Sequence, residues 1–423
     1  MARPIDSLTC RGMRDLLPEE MERFRRVEQV FRSVCESWGF REIRTPVIEH
    51  LHLFTSAGTL SPQMLGRVYS FLDWDGWSGE RVVLRPDATI PAARLYREQM
   101  DREQIDGEIG KLFYVENIFR FSAGDEPREL WQCGAELIGD TWPLGDVELI
   151  TVARNTLLRL GFGDLLVRLS HTGIVRALLA TAGYTLEEQL ALYDRILDGD
   201  LSFVGEVEQR LPRLAAPLGL LFELGGGSGA YLDNLRSAFA ASVPAMLGPL
   251  DELSVVAATL QSAGCRFELD LTMVRDFEYY SGPVFHLCAS GRELAGGGRY
   301  DGLASARTGA PLPACGFAIA MDQVIRLLPP SPAGRELRTV QVRPAAGTPE
   351  GMALALLVAA ELQDNGFCAE LIAPQRAPVC RWRLSVDPHG GESRYRLEDC
   401  SRGTERRAGS MEQILSTLGR SRP

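Results

Sequence analysis

The chain has 423 residues, is 45% hydrophobic and 24% charged, and carries a formal net charge of −11. That length points to two or three domains, and the composition to a globular protein able to bury a core. The acidic balance weighs against nonspecific nucleic-acid binding, which needs a cationic face to neutralise phosphates. No run of apolar residues is long enough to predict a membrane span, and the N-terminus lacks the apolar stretch of a secretory signal. The nine cysteines are scattered without a CxxC pair or a zinc-ligand spacing, so small buried thiols in a reducing cytoplasm are expected, with no metal and no cofactor. His50 and His52 can share one strand face, but no third ligand lies near them. Lys111 is the only lysine.

Leu17-Pro18 opens a first helix, where a proline loses no hydrogen bond. Met21, Phe24, Val27, Val30-Phe31, Val34-Cys35 and Trp38 then recur at helical spacing until Gly39. Residues 41–48 alternate as a strand with one buried face, placed at an edge or broken by Pro46. Residues 68–73 and 81–85 predict a hairpin about Asp75-Gly76. Two more strands follow at 111–122 and 129–138, then a helix over roughly 146–160. Hairpins carrying helices at intervals predict an α+β fold, an antiparallel sheet flanked by helices, not alternating β-α-β units.

Residues 164–257 are rich in leucine and alanine at helical periods, a mainly helical insertion within a core of 1–332. The glycines of 224–229 are not followed by Gly-Lys-Ser/Thr and make no phosphate loop. Strands are expected at 267–289 and 292–295, a bend at Gly296-Gly297-Gly298, and a strand running into a helix over 314–327. A stiff proline linker at 329–332 precedes a small α/β domain, 336–423. Its expected order is a strand at 339–342, a helix at 349–365 closed by Gly366, strands at 367–372, 382–386 and 393–399, and a helix near 410–418.

Four segments, in order, resemble the class II aminoacyl-tRNA synthetase core in its histidyl branch. Trp38-Gly39-Phe40-Arg41-Glu42-Ile43-Arg44-Thr45-Pro46 is similar to the dimer-forming motif. Leu84-Arg85-Pro86-Asp87-Ala88-Thr89 is similar to a histidine-pocket strand. Phe119-Arg120 through Arg128-Glu129-Leu130-Trp131-Gln132-Cys133-Gly134-Ala135-Glu136 is similar to the ATP-binding strand-loop-strand. The fourth joins Arg275-Asp276-Phe277-Glu278-Tyr279-Tyr280-Ser281-Gly282 to Gly297-Gly298-Arg299-Tyr300-Asp301-Gly302-Leu303 and ends at Gly316 through Asp322-Gln323. The resemblance implies a class II synthetase-like sheet, and for 336–423 a truncated anticodon-binding-like domain that lacks the helix expected before residue 382.

In that family a carboxylate attacks the α-phosphate of ATP, and cations must spread the charge of the transition state. The resemblance implies three arginines. Arg120 and Arg275 stand at two of the positions, but Asp322-Gln323 replaces the expected Glu-Arg pair, and a carboxamide does not hold a phosphate as a guanidinium does. Seven residues, 121–127, separate Arg120 from Arg128, fewer than in a synthetase. Ser122 stands where a glutamate is expected, and Asp125 and Glu126 add negative charge.

The amino-acid end is better kept. The resemblance assigns Asp87, Thr89, Arg120, Gln132, Glu136, Arg275, Tyr279 and Tyr280 to a pocket for histidine or an analogue, with Asp87 one methylene shorter than the expected glutamate. Carboxylates suit an ammonium and an imidazole, and a tyrosine hydroxyl can fix the ring. The alternative is a buried polar network whose members satisfy one another.

This combination resembles the noncatalytic synthetase paralogues that serve as regulatory subunits of ATP phosphoribosyltransferase, in the first step of histidine biosynthesis. It implies no catalytic residues. It also implies a self-dimer through the first motif, a hetero-octamer with the short-form catalytic subunit, activation of that subunit, and feedback by histidine as effector. Neither nucleic acid nor membrane is an expected partner. The rival readings are an active histidine–tRNA ligase and a free-standing histidine-binding or tRNA-mimic module.

Overall fold

The computed structural model describes residues 8–56, 66–74, 79–103, 109–122, 124, 126–139, 143–185, 187–189, 192, 195, 202–212, 218, 221, 229–271, 273, 280–303, 312–328, 339–373 and 380–419. Helix α1 (Pro18–Ser37) buries Phe24, Val27, Phe31, Val34 and Cys35, the stripe that helical spacing predicts. Phe31 meets Phe113 and Phe317 edge-on at 5.8 and 6.3 Å. Gly39, at φ +81°, turns the chain in the left-handed region that favours glycine.

The stretch 41–48 is not one strand. It divides into β1 (Arg41–Glu42), exposed at both residues, and β2 (Ile48–His50), which belong to different sheets. Pro46, without an N–H to donate, lies in the break. After α2 (Leu51–Ser56) come β3 (Ser70–Trp74) and β4 (Gly79–Leu84), forming a three-stranded sheet in the order β2-β4-β3. The Asp75-Gly76 turn lies outside the described residues. The Leu84–Thr89 segment is also not a strand throughout. Leu84 ends β4, and Thr89 opens α3 (Thr89–Glu103), because Asp87 Oδ1 accepts the Ile90 N–H at 3.0 Å and satisfies a donor of the first turn.

Strands β5 (Gly110–Phe119) and β6 (Glu129–Ile138), helix α4 (Pro143–Leu160) and strand β7 (Leu165–His171) follow. The last corrects the helical reading of 164–257 at its start: Leu165, Val167 and Leu169 are buried in the main sheet. Helices α5 (Thr172–Thr181), α6 (Phe203–Arg210), α7 (Gly229–Phe239) and α8 (Leu247–Ser262) follow among the described residues. The glycine run 224–228 lies outside the described residues. Strands β8 (Phe267–Leu269), β9 (Pro283–Ala289), β10 (Arg292–Arg299) and β11 (Ala314–Ala320) return to the sheet, and α9 (Met321–Leu327) follows. Residues 267–289 are therefore two strands, not one.

The main sheet has eight strands in the order β1-β5-β6-β11-β10-β9-β7-β8. Only its outer pairs, β1 with β5 and β7 with β8, are parallel. The expected bend at Gly296-Gly297-Gly298 is extended strand, paired with both β9 and β11. A Cβ on Gly297 would lie 2.3 Å from the Gly316 carbonyl oxygen, so glycine here permits close backbone approach rather than a turn. Beneath the sheet, Arg85 and Glu116 form a buried ion pair, with Thr45 N and Oγ1 donating to Glu116 at 2.7 and 2.9 Å. Arg85 Nε donates to the Asn117 carbonyl at 2.8 Å, so the dimer-like motif, β4 and β5 are tied by one satisfied network.

Clustering of the backbone divides the chain into Met1–Pro329 and Pro330–Pro423. In the second unit, β12 (Thr339–Pro344), α10 (Pro349–Asp364), β13 (Cys368–Leu371), β14 (Trp382–Val386), β15 (Tyr395–Asp399), β16 (Thr404–Ala408) and α11 (Met411–Leu418) build a five-stranded sheet in the order β13-β12-β14-β15-β16. Strand β16 is not apparent in the sequence: Thr-Glu-Arg-Arg-Ala is mostly charged, a composition that blunts an edge. One sheet face carries the apolar core with α10 and α11. The other bears polar pairs, with Gln341 Nε2 donating to Glu370 at 3.2 Å and Arg343 Nε to Ser385 at 2.8 Å.

Among the described residues no helix is long and apolar enough to cross a membrane, and no three His, Cys, Asp or Glu side chains group to hold a metal. The cysteines are not uniformly buried: Cys10 is exposed, and Cys288, Cys368, Cys380 and Cys400 are half-buried.

Candidate functional site

Strand alternation puts Gln132, Gly134 and Glu136 of β6 on one face. Register sets Gly134 opposite Tyr114 of β5 and Glu136 opposite Gly316 of β11. A Cβ at 134 would stand 2.2 Å from the Tyr114 ring, and one at 316 only 1.7 Å from Glu136 Oε2. The two glycines thus leave the space into which the tyrosine and the carboxylate lean.

Glu136 is wholly buried. Tyr114 donates its hydroxyl to Glu136 Oε1 at 3.1 Å, and the Tyr300 hydroxyl donates to Oε2. Thr89 Oγ1 lies 3.2 Å from the Tyr114 oxygen. Burial pushes the Glu136 carboxyl up to about 8, against the opposing pull of the Tyr300, Thr89 and Tyr114 hydroxyls, and the charge of Asp87 adds to the rise. Burial, with Glu136 and Asp87, likewise raises the Tyr114 hydroxyl.

Gln132 Oε1, on the same strand face, is buried with no hydrogen-bond partner among the described residues. Tyr280 is half-buried and packs with Tyr300 in the cluster that includes Phe54 and Ile90. The structure therefore brings Asp87, Thr89 and Glu136 together, with Gln132 on the same strand and Tyr280 beside Tyr300. Arg120 Nε donates to the carbonyl of Pro86, the residue before Asp87, at 3.1 Å. Arg275 and Tyr279 lie outside the described residues. Sequence reasoning missed Tyr114 and Tyr300 as members of this network. Tyr300 sat inside the quoted 297–303 motif; Tyr114 had no local signal, because the glycine that admits it is on another strand.

At the nucleotide end Asp322 is paired within the protein. Asp322 accepts from Arg14 Nη2 at 2.6 Å and from the Trp131 N–H at 2.9 Å. Gln323 Oε1 is buried and without a hydrogen-bond partner among the described residues. Arg128 stacks over Phe121 at 4.6 Å and donates to the Tyr69 hydroxyl at 3.2 Å. Ser122 Oγ accepts the Gly124 N–H at 3.1 Å, closing the short loop on itself. Asp125 lies outside the described residues.

Residues 12–324 match the histidyl-tRNA synthetase family. The ATP phosphoribosyltransferase regulatory subunit of Dehalococcoides mccartyi is 46% identical over 320 residues, covering 75% of this chain and 77% of that protein. The histidine–tRNA ligase of Archaeoglobus fulgidus is 33% identical, covering 74% of each chain. Among solved structures, one described as an ATP phosphoribosyltransferase regulatory subunit/histidyl-tRNA synthetase from Bacillus halodurans superposes with a TM-score of 0.73 at 27% identity, covering 89% of this chain and 96% of that one.

Proposed function

The chain belongs to the histidyl-tRNA synthetase family and, within it, to the regulatory subunits of ATP phosphoribosyltransferase, and from that premise we propose that it activates a short-form catalytic subunit and relays feedback inhibition by histidine. It is a noncatalytic partner of an enzyme. The observation that carries the reading is the contrast within one cleft. Asp322 is committed to Arg14 and the Trp131 backbone, and position 323 offers a neutral amide, so the γ-phosphate of ATP lacks the guanidinium that activation needs. Beside it, Glu136, Asp87 and the unpartnered Gln132 oxygen form an acceptor-rich pocket suited to a ligand with an ammonium and ring N–H groups.

In this reading the chain acts in the cytoplasm, self-dimerises through the 38–46 motif and joins the catalytic subunit in a hetero-octamer. Histidine binds in the pocket that includes Asp87, Thr89, Gln132, Glu136, Arg275, Tyr279 and Tyr280. To act as a regulator, the chain must bind the active and inactive states of its partner with different affinities, and the ligand must bias that difference.

Two assays test this. Purified protein is expected to give no histidine-dependent ATP–pyrophosphate exchange; exchange above background would instead support a working ligase. Mixed with a short-form catalytic subunit, it is expected to raise phosphoribosyl transfer and to make it sensitive to L-histidine. Failure of both would sink the regulatory reading.

A further inference from the structure

Arg299 and Tyr300 are consecutive, so their side chains leave the backbone toward opposite faces of the sheet. Tyr300 reaches Glu136 in the pocket. Arg299 goes the other way and is only 12% exposed; its Nη2 donates to Asp146 Oδ2 of α4 at 2.5 Å and its Nη1 to Glu252 Oε2 of α8 at 2.6 Å. Its stem lies over Gly282, where a Cβ would meet Arg299 Cβ and Cδ at 3.1 Å. Its carbonyl accepts the Ser281 N–H at 2.7 Å.

The same turn is gripped from the helical segment. Thr172 N and Oγ1, at the start of α5, both donate to the Gly282 carbonyl, at 3.1 and 3.2 Å, and Arg176 Nη2 donates to the Tyr280 carbonyl at 3.5 Å. The neighbouring His171 accepts the Gly173 N–H at Nδ1, so its proton resides on Nε2, which faces Glu252 Oε2 at 3.6 Å. On the far side of the turn, Ser281 Oγ donates to Asp301 Oδ2 at 2.8 Å. Glu252 thus joins the helical segment to the side chain that packs on the turn, and the turn carries Tyr280 at its first residue.

We infer that Arg299 is a positioning residue: held by Asp146 and Glu252, it clamps the 280–282 turn from behind the sheet, so that the helices between β7 and β8 and the ligand pocket keep or change their arrangement together. A buried ion pair kept for stability alone has apolar substitutes of equal worth. Here the two carboxylates fix the guanidinium whose stem lies over Gly282, while Thr172 and Arg176 hold the Gly282 and Tyr280 carbonyls directly, so the direction of the stem is set as well as its packing. The inference rests on the pocket reading above for its ligand, though not for its structural readout.

The test uses the full chain with Glu252→Gln, which keeps shape and removes charge, and with Val256→Ala, which loosens α8 at a fully buried position one turn on and leaves every charge of the cluster in place. Hydrogen–deuterium exchange of peptides spanning 280–286 is expected to quicken in Glu252→Gln and not in Val256→Ala. L-Histidine affinity, by calorimetry, is expected to fall about tenfold in the first variant and to hold in the second. Equal exchange in the two variants, or faster exchange in Val256→Ala, would overturn the clamp. If the unmodified chain binds no L-histidine, the ligand reading falls while the exchange experiment still decides the clamp.

Discussion

The two ends of this cleft descend from one kind of active site and have been left in opposite electrostatic states. At the nucleotide end, Asp322 is neutralised by Arg14 and Arg128 lies over Phe121. At the amino-acid end, Glu136 is surrounded by hydroxyls that bring no positive charge, and the negative charge of Asp87 nearby helps burial keep its proton on. A carboxylate already matched by an arginine of the same chain has little left to attract a ligand. A site that holds a buried carboxyl against hydroxyls alone is stabilised when a cation arrives. In the proposed reading, loss of catalysis and retention of recognition coexist within one sheet.

The largest effect that would break this contrast is expected from Gly316→Ala. The new methyl would occupy the place of Glu136 Oε2, costing about 1–3 kcal/mol of stability as an overpacked core does and abolishing L-histidine binding. Calorimetry showing undiminished binding would place the ligand elsewhere.

A smaller effect concerns pH. The Glu136 carboxyl rises from an ordinary 4.5 to about 8, so the folded chain holds a proton that the unfolded chain releases. Stability then falls as pH rises from about 4.5 to about 8 and levels above it. Asp146, raised to about 6 chiefly by burial, contributes only to the lower part of that window. Glu136→Gln is expected to flatten the upper part, measured as urea midpoints on either side of it; an unaltered slope would mean another group titrates there.

The smallest effect is expected at the other end. Asp322→Asn keeps an acceptor for the Trp131 N–H and loses a half-exposed partner in Arg14, for about 1 kcal/mol and no change in L-histidine affinity. A drop in affinity would show that the two ends are not separable.

Local periodicity made α1 legible, because Phe24, Val27, Phe31 and Val34 fall on one stripe whatever packs against it. The triple glycine misled for a physical reason: glycine signals a turn locally, whereas the constraint on Gly297 is the carbonyl of Gly316 across the strand pair. Asp87 reads as the end of a strand until its bond to the Ile90 N–H is seen to start a helix. Glu136 was found from its motif, but its donor Tyr114 was not, since the residue that makes room for Tyr114 is twenty positions away. The resemblance to a family reached the architecture; the wiring behind Arg299 came only from coordinates.

The glycine floor of the pocket has a consequence for descent. Positions 134 and 316 meet the buried side chains of Tyr114 and Glu136 with no room for a methyl, so substitution there displaces those side chains before it can reshape anything else. Variation that preserves the fold is channelled to the rim, where Asp87 already departs from the family pattern. A lineage carrying this sheet can vary one rim residue at a time, while the packing of Tyr114 and Glu136 against the two glycines stays inherited.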